Sequence, residues 1–474
     1  MTQIQTTSGR EDGSSVDLLV TLDRAAPRGL RRQLEGQLRD GIRSSRLSAG
    51  SSLPSSRLLA QELGVARSVV VEAYGQLIAE GYLEARRGAG TQVAQREGAA
   101  APALDSLGEA AVGRTPSSAL PDPAWFPRRE WLRQMRAVLT DCPDAVFGYP
   151  HPQGAIELRR SLSEYLGRVR AVQTRAENVL VCGGFAQGLA VLCRGLQVRG
   201  VGRIAVEDPC FSLHRRIIRA AGLEPVPVAV DDRGLVIEEL SRLSVGAVLV
   251  APAHSYPTGV VLAPGRRHEL LAWAQERDAL VIEDDYDAEF RYDRTPVGAL
   301  QGLDPDHVVY GGSASKTLSP ALRLGWLALP DHFLGDVLRA KFVDGIATEA
   351  FGQLALARFI DGGSFARHLR RVRPVYRARR DRLAGALRMH MPQATVTGAA
   401  AGLHLFVRLS PDTPERELVE AAHQHGLHID PSSRHWANPD QAPPAILIGY
   451  GTVHQDAIER EIATLAALAR ELSE

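Results

Sequence analysis

Apolar residues between positions 28 and 47 recur every four residues, which predicts an amphipathic helix. Two further helical patterns follow at 55–63, where Ser55 or Ser56 can cap the first turn, and at 67–79. A tight turn at 64–66 separates them, and Gly81 ends the second. The residues expected to face inward from these two helices are Leu58, Leu59, Leu63, Val70, Tyr74, Leu77 and Ile78.

A basic hairpin is predicted directly after these helices. Residues 82–85 and 90–93 are typical of two short strands, and Arg86-Arg87-Gly88-Ala89 lies between them. Helix, turn, helix and basic hairpin in this order predict a winged helix-turn-helix, whose second helix enters the major groove of DNA. A small helical domain with an exposed hairpin is the alternative, because arginines are common throughout this chain.

From residue 121 onward the pattern changes to short apolar runs alternating with helical patterns. The predicted strands lie at 179–182, 203–206, 226–229, 247–250, 280–282 and 308–310, with helices between them, for example 189–197, 213–221 and 266–277. This alternation predicts an α/β sheet covered on both faces, with ligands at the carboxyl ends of its strands. Residues 95–121, rich in Ala, Gly, Ser and Pro, read as a mostly flexible tether or as a loop packed on the second domain.

Composition narrows the function classes. The 474 residues carry 55 basic and 55 acidic side chains, so any polyanion-binding surface must be local. The four cysteines lack metal-site spacing, which indicates a reducing compartment. No apolar run reaches the length of a membrane span, and the polar first residues lack a signal-peptide pattern. We therefore expect a cytoplasmic protein of two to four domains without a metal site.

Lysine usage draws attention to one residue. Only two of the 55 basic residues are lysines, Lys316 and Lys341. A desolvated lysine amine can lose its proton and attack an aldehyde, whereas arginine stays protonated. Ser313 and Ser315 precede Lys316, and Arg323 follows it with a fork suited to phosphate oxygens. These residues are consistent with a lysine that holds pyridoxal phosphate, or with a polar loop whose lysine has no chemical task.

Other polar clusters follow the predicted strands. Gly183-Gly184 opens a helix, where backbone N–H groups favour phosphate, although a tight turn would look the same. Phe211 could stack on a flat ring or belong to the core, and His254 reads as structural. The crowded acids at 283–287 need a positive partner such as a protonated pyridine nitrogen; a solvated acidic loop and a magnesium site are the alternatives.

The first region resembles a known family. LPSSRLLAQELGVARSVVVEAYGQLIAEGYLEARRGAGTQV is similar to the GntR family of DNA-binding domains at almost every fixed position, with Ala66 and Ala89 in place of serines. The resemblance covers about residues 17–95 and implies binding of a double-stranded DNA operator. The DNA contacts expected from the resemblance and the wing are Arg57, Arg67, Ser68, Arg86 and Gly88.

The second region resembles fold-type I pyridoxal-phosphate enzymes of the aspartate aminotransferase superfamily. The resemblance rests on SASKTLSPALRLGW together with EDDYDAEFRY, and FGYPHPQG matches an entry motif with Tyr149 where Asp is common. It implies that Lys316 forms the Schiff base with pyridoxal phosphate, that Asp284 pairs with the pyridine nitrogen and that Tyr286 points at the 3′-oxygen. The residues implied to bind the cofactor are Gly184, Phe185, Ala186, Phe211, Asp284, Tyr286, Ser313, Ser315, Lys316 and Arg323.

A GntR head joined to an aminotransferase-like body resembles the MocR/GabR group of bacterial transcription regulators, which typically form head-to-tail homodimers. The expected fold is an N-terminal winged helix-turn-helix plus a fold-type I large domain with a smaller C-terminal α+β subdomain. The expected boundaries are a disordered tail at 1–16, the head at 17–95, a linker at 96–121 and the effector domain at 122–474.

One departure from the aminotransferase pattern bears on function. Leu447 stands where aminotransferases carry the arginine that grips the substrate carboxylate, Ser255 stands where relatives often have Gln, and Arg215 is the candidate replacement. A leucine cannot pair a buried carboxylate. This favours a regulator that senses pyridoxal phosphate itself, in control of vitamin B6 metabolism. The alternatives are a regulator whose amino-compound effector displaces Lys316, and an active aminotransferase with an accessory head.

Overall fold

The computed structural model describes residues 20–44, 46–86, 90–94, 119–292, 297–398 and 400–472. These residues form two compact units, one within 20–94 and one within 119–472. The predicted tail at 1–16, the wing residue Gly88 and most of the predicted linker lie outside the described residues.

The N-terminal unit has the predicted winged helix-turn-helix order. Its elements are α1 (Leu30–Arg43), β1 (Ser52–Leu53), α2 (Ser56–Glu62), α3 (Arg67–Ala79), β2 (Leu83–Arg86) and β3 (Gly90–Val93). The Ser55 hydroxyl caps α2 by accepting from the Leu58 N–H at 3.2 Å. Between α2 and α3, Gly64 takes a φ of +60°, a left-handed conformation that side chains disfavour.

Two inward-facing predictions in this unit are wrong. Leu58 and Ile78 are exposed, whereas Leu59, Val70 and Leu77 are buried together with one stripe of α1. The reason is helical phase, because each exposed residue lies one position from a buried one and about 100° away around the axis. The short strand β1, which pairs with β3, is also absent from the sequence prediction.

The C-terminal unit holds two further sheets. Its strands are β4 (Val179–Cys182), β5 (Arg203–Asp208), β6 (Glu224–Asp231), β7 (Gly234–Leu235), β8 (Ala247–Val250), β9 (Leu280–Asp285), β10 (Val308–Ser313), β11 (Gly325–Ala328), β12 (Thr395–Thr397), β13 (His404–Arg408), β14 (Ile429–Pro431) and β15 (Ala445–Gly449). Its helices are α4 (Arg128–Asp141), α5 (Ile156–Arg170), α6 (Phe185–Val198), α7 (Ser212–Ala220), α8 (Ile237–Ser241), α9 (Pro264–Arg277), α10 (Asp331–Gly345), α11 (Phe351–Asp361), α12 (Ser364–His390), α13 (Glu415–Gln424) and α14 (Ile458–Glu471).

The large sheet has the strand order β4-β11-β10-β9-β8-β5-β6-β7. All six predicted strands belong to it, and β9, β10, β8, β5 and β6 pair in parallel. Residues of these strands belong to two separate buried apolar clusters, so both faces of the sheet are covered. This is why each strand is a continuous apolar run in the sequence. The predicted α/β class is therefore confirmed.

Two strands of the large sheet were not predicted from the sequence. β11 runs antiparallel between β4 and β10, and β7 is a two-residue edge strand. β11 follows the lysine stretch closely, begins at Gly325 and contains only two large apolar residues, Trp326 and Leu327, so its sequence is difficult to separate from a loop.

A smaller subdomain follows the long helix α12. Its antiparallel sheet has the order β12-β13-β15-β14, and α12, α13 and α14 pack against it around a buried apolar cluster. This is the smaller C-terminal α+β subdomain that the resemblance implied.

Candidate functional site

A cavity of about 300 Å³ lies in the C-terminal unit beside the carboxyl ends of β9 and β10. It brings together all ten residues that the sequence assigned to a cofactor. Its lining residues are Ala119, Leu120, Gly184, Phe185, Ala186, Phe211, Leu213, His214, Tyr256, Asp284, Tyr286, Ser313, Ser315, Lys316, Pro320 and Arg323.

One part of the cavity is suited to phosphate. Gly184 precedes the first residue of α6 with a φ of +94°, and a Cβ added there would lie 3.2 Å from a guanidinium nitrogen of Arg323. The Ser313 and Ser315 hydroxyls are 2.7 Å apart on the same lining. A helix N-terminus, a guanidinium and two hydroxyls together offer the donors that phosphate oxygens accept.

Asp284 carries a buried carboxylate oxygen without a partner. Its Oδ1 has no hydrogen bond to any described residue, and its Oδ2 lies 3.6 Å from His214 Nε2. Burial, with the charges of Asp285 and Asp287, raises the pKa of Asp284 well above its usual value. A cationic ring nitrogen would satisfy this oxygen and favour the ionised carboxylate, so the residues present fit a pyridine ring here.

The two lysines occupy different surroundings. Lys316 lines the cavity, and burial lowers the pKa of its amine while Asp287 and Asp284 oppose that shift. Lys341 is buried elsewhere, where its Nζ donates to Thr348 Oγ1 at 2.9 Å. A lowered pKa increases the neutral, nucleophilic fraction of the Lys316 amine.

His254 lies within hydrogen-bond distance of both Tyr286 and Asp287. His254 Nδ1 lies 3.0 Å from the Tyr286 hydroxyl and 2.9 Å from Asp287 Oδ2. If Nδ1 carries its proton, it donates to the Asp287 carboxylate and cannot accept from Tyr286, whose hydrogen is then free to point into the cavity. Burial raises the pKa of Tyr286 well above its usual value, which keeps that hydrogen in place.

Sequence reasoning took His254 as structural and missed the role that this geometry allows. The chain held a signal, because His254 lies four residues beyond the end of the buried strand β8, in the loop where ligand-site residues are expected. Gly402 accommodates the pair: a Cβ there would lie 2.6 Å from Asp287 Oδ2 and 2.5 Å from a His254 ring carbon.

Phe211 lies among other rings. Its ring stacks on His435 with a centroid distance of 6.0 Å and makes T-shaped contacts with His214 and Tyr256 at centroid distances of 5.4 Å. His214 and Tyr256 also line the cavity, although no sequence motif pointed to them. Both contribute an aromatic wall for a flat ligand.

Arg215, the candidate effector residue, makes contacts that favour a structural role. Arg215 is buried and absent from the cavity lining. Its guanidinium donates to the carbonyl oxygens of His435 at 2.8 Å and Trp436 at 2.7 Å. The sequence could not show that these carbonyls, more than two hundred residues away, use its donors.

Leu447 lies in apolar surroundings. It packs with Phe406 and Ala445, and Tyr256 lies against this cluster. Ser255, which precedes Tyr256 in the sequence, is buried. The position that carries an arginine in aminotransferases therefore adjoins hydrocarbon and a tyrosine.

The predicted DNA contacts that the structure describes are exposed. Arg57 lies in the first turn of α2, and Arg67 and Ser68 open α3. The Arg67 Nε approaches Ser56 Oγ at 3.4 Å, which links the starts of the two helices. Arg86 ends β2 and lies 3.2 Å from Glu84 Oε1. Gly88 lies outside the described residues.

Comparison with protein families agrees with the two units. The model of bacterial regulatory proteins of the gntR family matches residues 30–93, and the model of aminotransferase class I and II matches residues 129–437. Among the described residues, no group of acids, histidines and cysteines is arranged to hold a metal ion. None of the described helices has the length and apolar character needed to cross a bilayer.

Curated relatives match nearly the whole chain. The probable rhizopine catabolism regulatory protein MocR of Rhizobium meliloti is 32% identical, over 96% of this chain and 97% of its own. The HTH-type pyridoxine biosynthesis transcriptional regulator PdxR of Corynebacterium glutamicum is 31% identical, over 95% and 98%. Among solved structures, kynurenine aminotransferase of Pyrococcus horikoshii, in complex with PMP, aligns with a TM-score of 0.68 and 25% identity, over 74% of this chain and 89% of its own.

Proposed function

The chain belongs to the MocR-type transcriptional regulators, which join a GntR-type helix-turn-helix to an aminotransferase class I and II domain, and on this premise we propose that it regulates transcription in response to pyridoxal phosphate. In this proposal the effector domain serves as a sensor rather than as an enzyme. The sensed compound connects the protein to vitamin B6 metabolism, as the name of the relative PdxR suggests. We expect it to work in the cytoplasm.

One observation carries the proposal: a single cavity holds Lys316, the unpartnered oxygen of Asp284 and the donors around Gly184 and Arg323. Pyridoxal phosphate, when bound, supplies an aldehyde and an electron-accepting ring. Lys316 would hold the aldehyde carbon, Asp284 the ring nitrogen, and Arg323 with Ser313 and Ser315 the phosphate. Phe211 would cover one ring face, and Tyr286 would donate to the ring oxygen.

The surroundings of Leu447 favour sensing over transamination. A substrate carboxylate needs a cationic partner, and an unpaired buried carboxylate costs several kcal/mol, on the order of 2–7 for polar groups generally. Leu447 contributes only hydrocarbon there, and the donors of Arg215 hold the 435–436 backbone. An α-amino acid would therefore bind weakly in this cavity.

DNA binding would use the exposed start of α3. Arg67 and Ser68 are available to base edges and phosphates, with Arg57 and Arg86 on neighbouring elements. We further propose a homodimer of head-to-tail arrangement, in which two heads reach two half-sites of one operator. Binding of the cofactor would change the body of each subunit and so the spacing of the heads.

The test is an absorbance titration of purified protein with pyridoxal phosphate. We expect a visible band that borohydride fixes to the peptide containing Lys316, and operator binding that differs between the loaded and unloaded forms. Amino compounds should leave the band in place. A band that amino acids remove would favour the amino-compound regulator, turnover with a keto acid would favour an aminotransferase, and an unchanged spectrum would contradict the cofactor proposal altogether.

A further inference from the structure

The long helix α12 carries a local excess of positive charge. Between residues 364 and 380 the sequence has seven arginines and no aspartate or glutamate, in a chain whose formal net charge is zero. A run of like charges is often only a solvated helix face. Its arrangement in the fold distinguishes a binding surface from such a face.

Part of this helix forms one wall of a cleft of about 480 Å³. The described residues that line this cleft are all different from those that line the cofactor cavity. No acidic residue is among the described residues that line it. The lining residues are Tyr165, Val169, Arg291, Tyr292, Ala366, Leu369, Arg370, Arg373, Pro374 and Arg377. Arg370, Arg373 and Arg377 follow one another at spacings of three and four, so they share one face of the helix.

These three arginines differ in how they are held. Arg373 is partly buried and donates to the Arg291 carbonyl at 2.7 Å, so it is fixed in the wall. Arg377 is exposed, with its Nε 3.9 Å from Asp381 Oδ2, a separation at which an exposed ion pair contributes little. Arg370 is exposed and forms no ion pair with any described residue. Neighbouring cations with so little compensation repel one another, and a polyanion would relieve that repulsion.

We propose that this surface, the arginine cleft, binds the phosphate backbone of DNA and adds sequence-independent affinity to the specific contacts of the helix-turn-helix. Arg370 and Arg377 are seven residues apart, about 10 Å along the helix axis. Double-stranded DNA presents one negative charge per about 1.7 Å of its axis, so that span faces several phosphates. Guanidinium groups match phosphate oxygens with two donors each, and the described lining of the cleft contains no acidic residue to compete for them.

The experiment measures binding of the full-length protein to mixed-sequence duplexes of about 60 and about 15 base pairs, by fluorescence anisotropy between about 50 and 200 mM potassium chloride. The double variant Arg370→Ala/Arg377→Ala should flatten the slope of log K against log salt by about 2 on the long duplex, since each phosphate contact contributes about 0.9.

A matched control removes the same charge elsewhere. Arg175 and Arg339 are exposed partners of Asp331 and Asp336, and their double alanine variant should retain the wild-type slope on both duplexes. Arg370→Lys/Arg377→Lys should also retain it, because lysine still binds phosphate as a point charge. Circular dichroism melting checks that each variant folds.

An unchanged slope for Arg370→Ala/Arg377→Ala on the long duplex overturns the proposal. So does an equal loss in the Arg175 and Arg339 control, which would reflect net charge alone. Retention of the slope together with binding of an acidic protein would assign the cleft to a protein partner instead. The probe contains no operator and no pyridoxal phosphate is added, so failure here leaves the proposed function standing.

Discussion

At the residue scale, the two lysines make a matched pair for testing the cofactor site. Lys316 lines the cavity with a lowered pKa, and Lys341 is buried against Thr348. Lys316→Ala should abolish the visible band and the borohydride-fixed adduct, because Lys316 is the only lysine among the described residues that line the cavity. Lys341→Met should retain both while lowering thermal stability, since it leaves Thr348 Oγ1 without its donor. Mass spectrometry of the reduced protein distinguishes these outcomes, and an adduct in Lys316→Ala would contradict the assignment.

His254 and Tyr286 should act as one unit. Because a proton on His254 Nδ1 prevents the Tyr286 hydroxyl from donating to that nitrogen, replacing the histidine removes what directs the Tyr286 hydrogen. We expect His254→Ala and Tyr286→Phe each to weaken pyridoxal phosphate binding, and the double variant to lose less than the sum. The coupling free energy should be about 0.5–3 kcal/mol, obtained from dissociation constants measured by absorbance. Strict additivity would mean that His254 acts only on packing.

At the element scale, Arg215 ties the start of α7 to the segment that carries His435 and Trp436. Its two carbonyl contacts, at 2.8 and 2.7 Å, are hydrogen bonds from a charged donor. Arg215→Met should therefore lower the free energy of unfolding by about 3 kcal/mol, while Arg216→Met, on the exposed face of the same helix, should change it by less than about 0.5 kcal/mol. Denaturant titration measures both. If Arg215→Met instead left stability intact and removed the response to an effector, the effector assignment would be restored.

The start of α3 allows a corresponding prediction about DNA binding. Arg67 is exposed at the first helical position, where recognition helices contact base edges and phosphates. Arg67→Ala should weaken operator binding by about 1–3 kcal/mol in gel-shift assays, without altering the cofactor spectrum. The matched control is Arg39→Ala, since Arg39 is engaged by Glu80 at 2.8 Å. Equal loss in both variants would locate the recognition surface elsewhere.

At the scale of the whole molecule, the elements predicted correctly from the sequence are those that depend on local pattern. The six strands of the large sheet and the helices α2 and α3 follow from periodicity and turn residues, with differences of a few residues at their ends. The ten cofactor residues came from motifs of an established family. What escaped depended on contacts between distant residues: the antiparallel β11, the outward phase of Leu58, and the carbonyls that Arg215 holds. Such contacts join residues that are far apart in the sequence, so no local spacing along the chain predicts them.

The proposed regulation depends most on assembly into the proposed homodimer, and we expect its interface to include exposed aromatic residues. Tyr149 is 90% exposed on the lining of a cleft of about 470 Å³, and Phe147, 60% exposed, packs on Phe351 at 5.3 Å. Exposed aromatic rings are costly in water and are enriched at protein interfaces. Phe147→Asp should therefore convert the dimer to a monomer in sedimentation experiments, because it places a charge within an apolar contact. Val198→Asp, at a residue 67% exposed on α6, changes the same chemistry elsewhere and should leave the dimer intact. A dimer that survives Phe147→Asp at micromolar concentration would require the two subunits to meet through a different face.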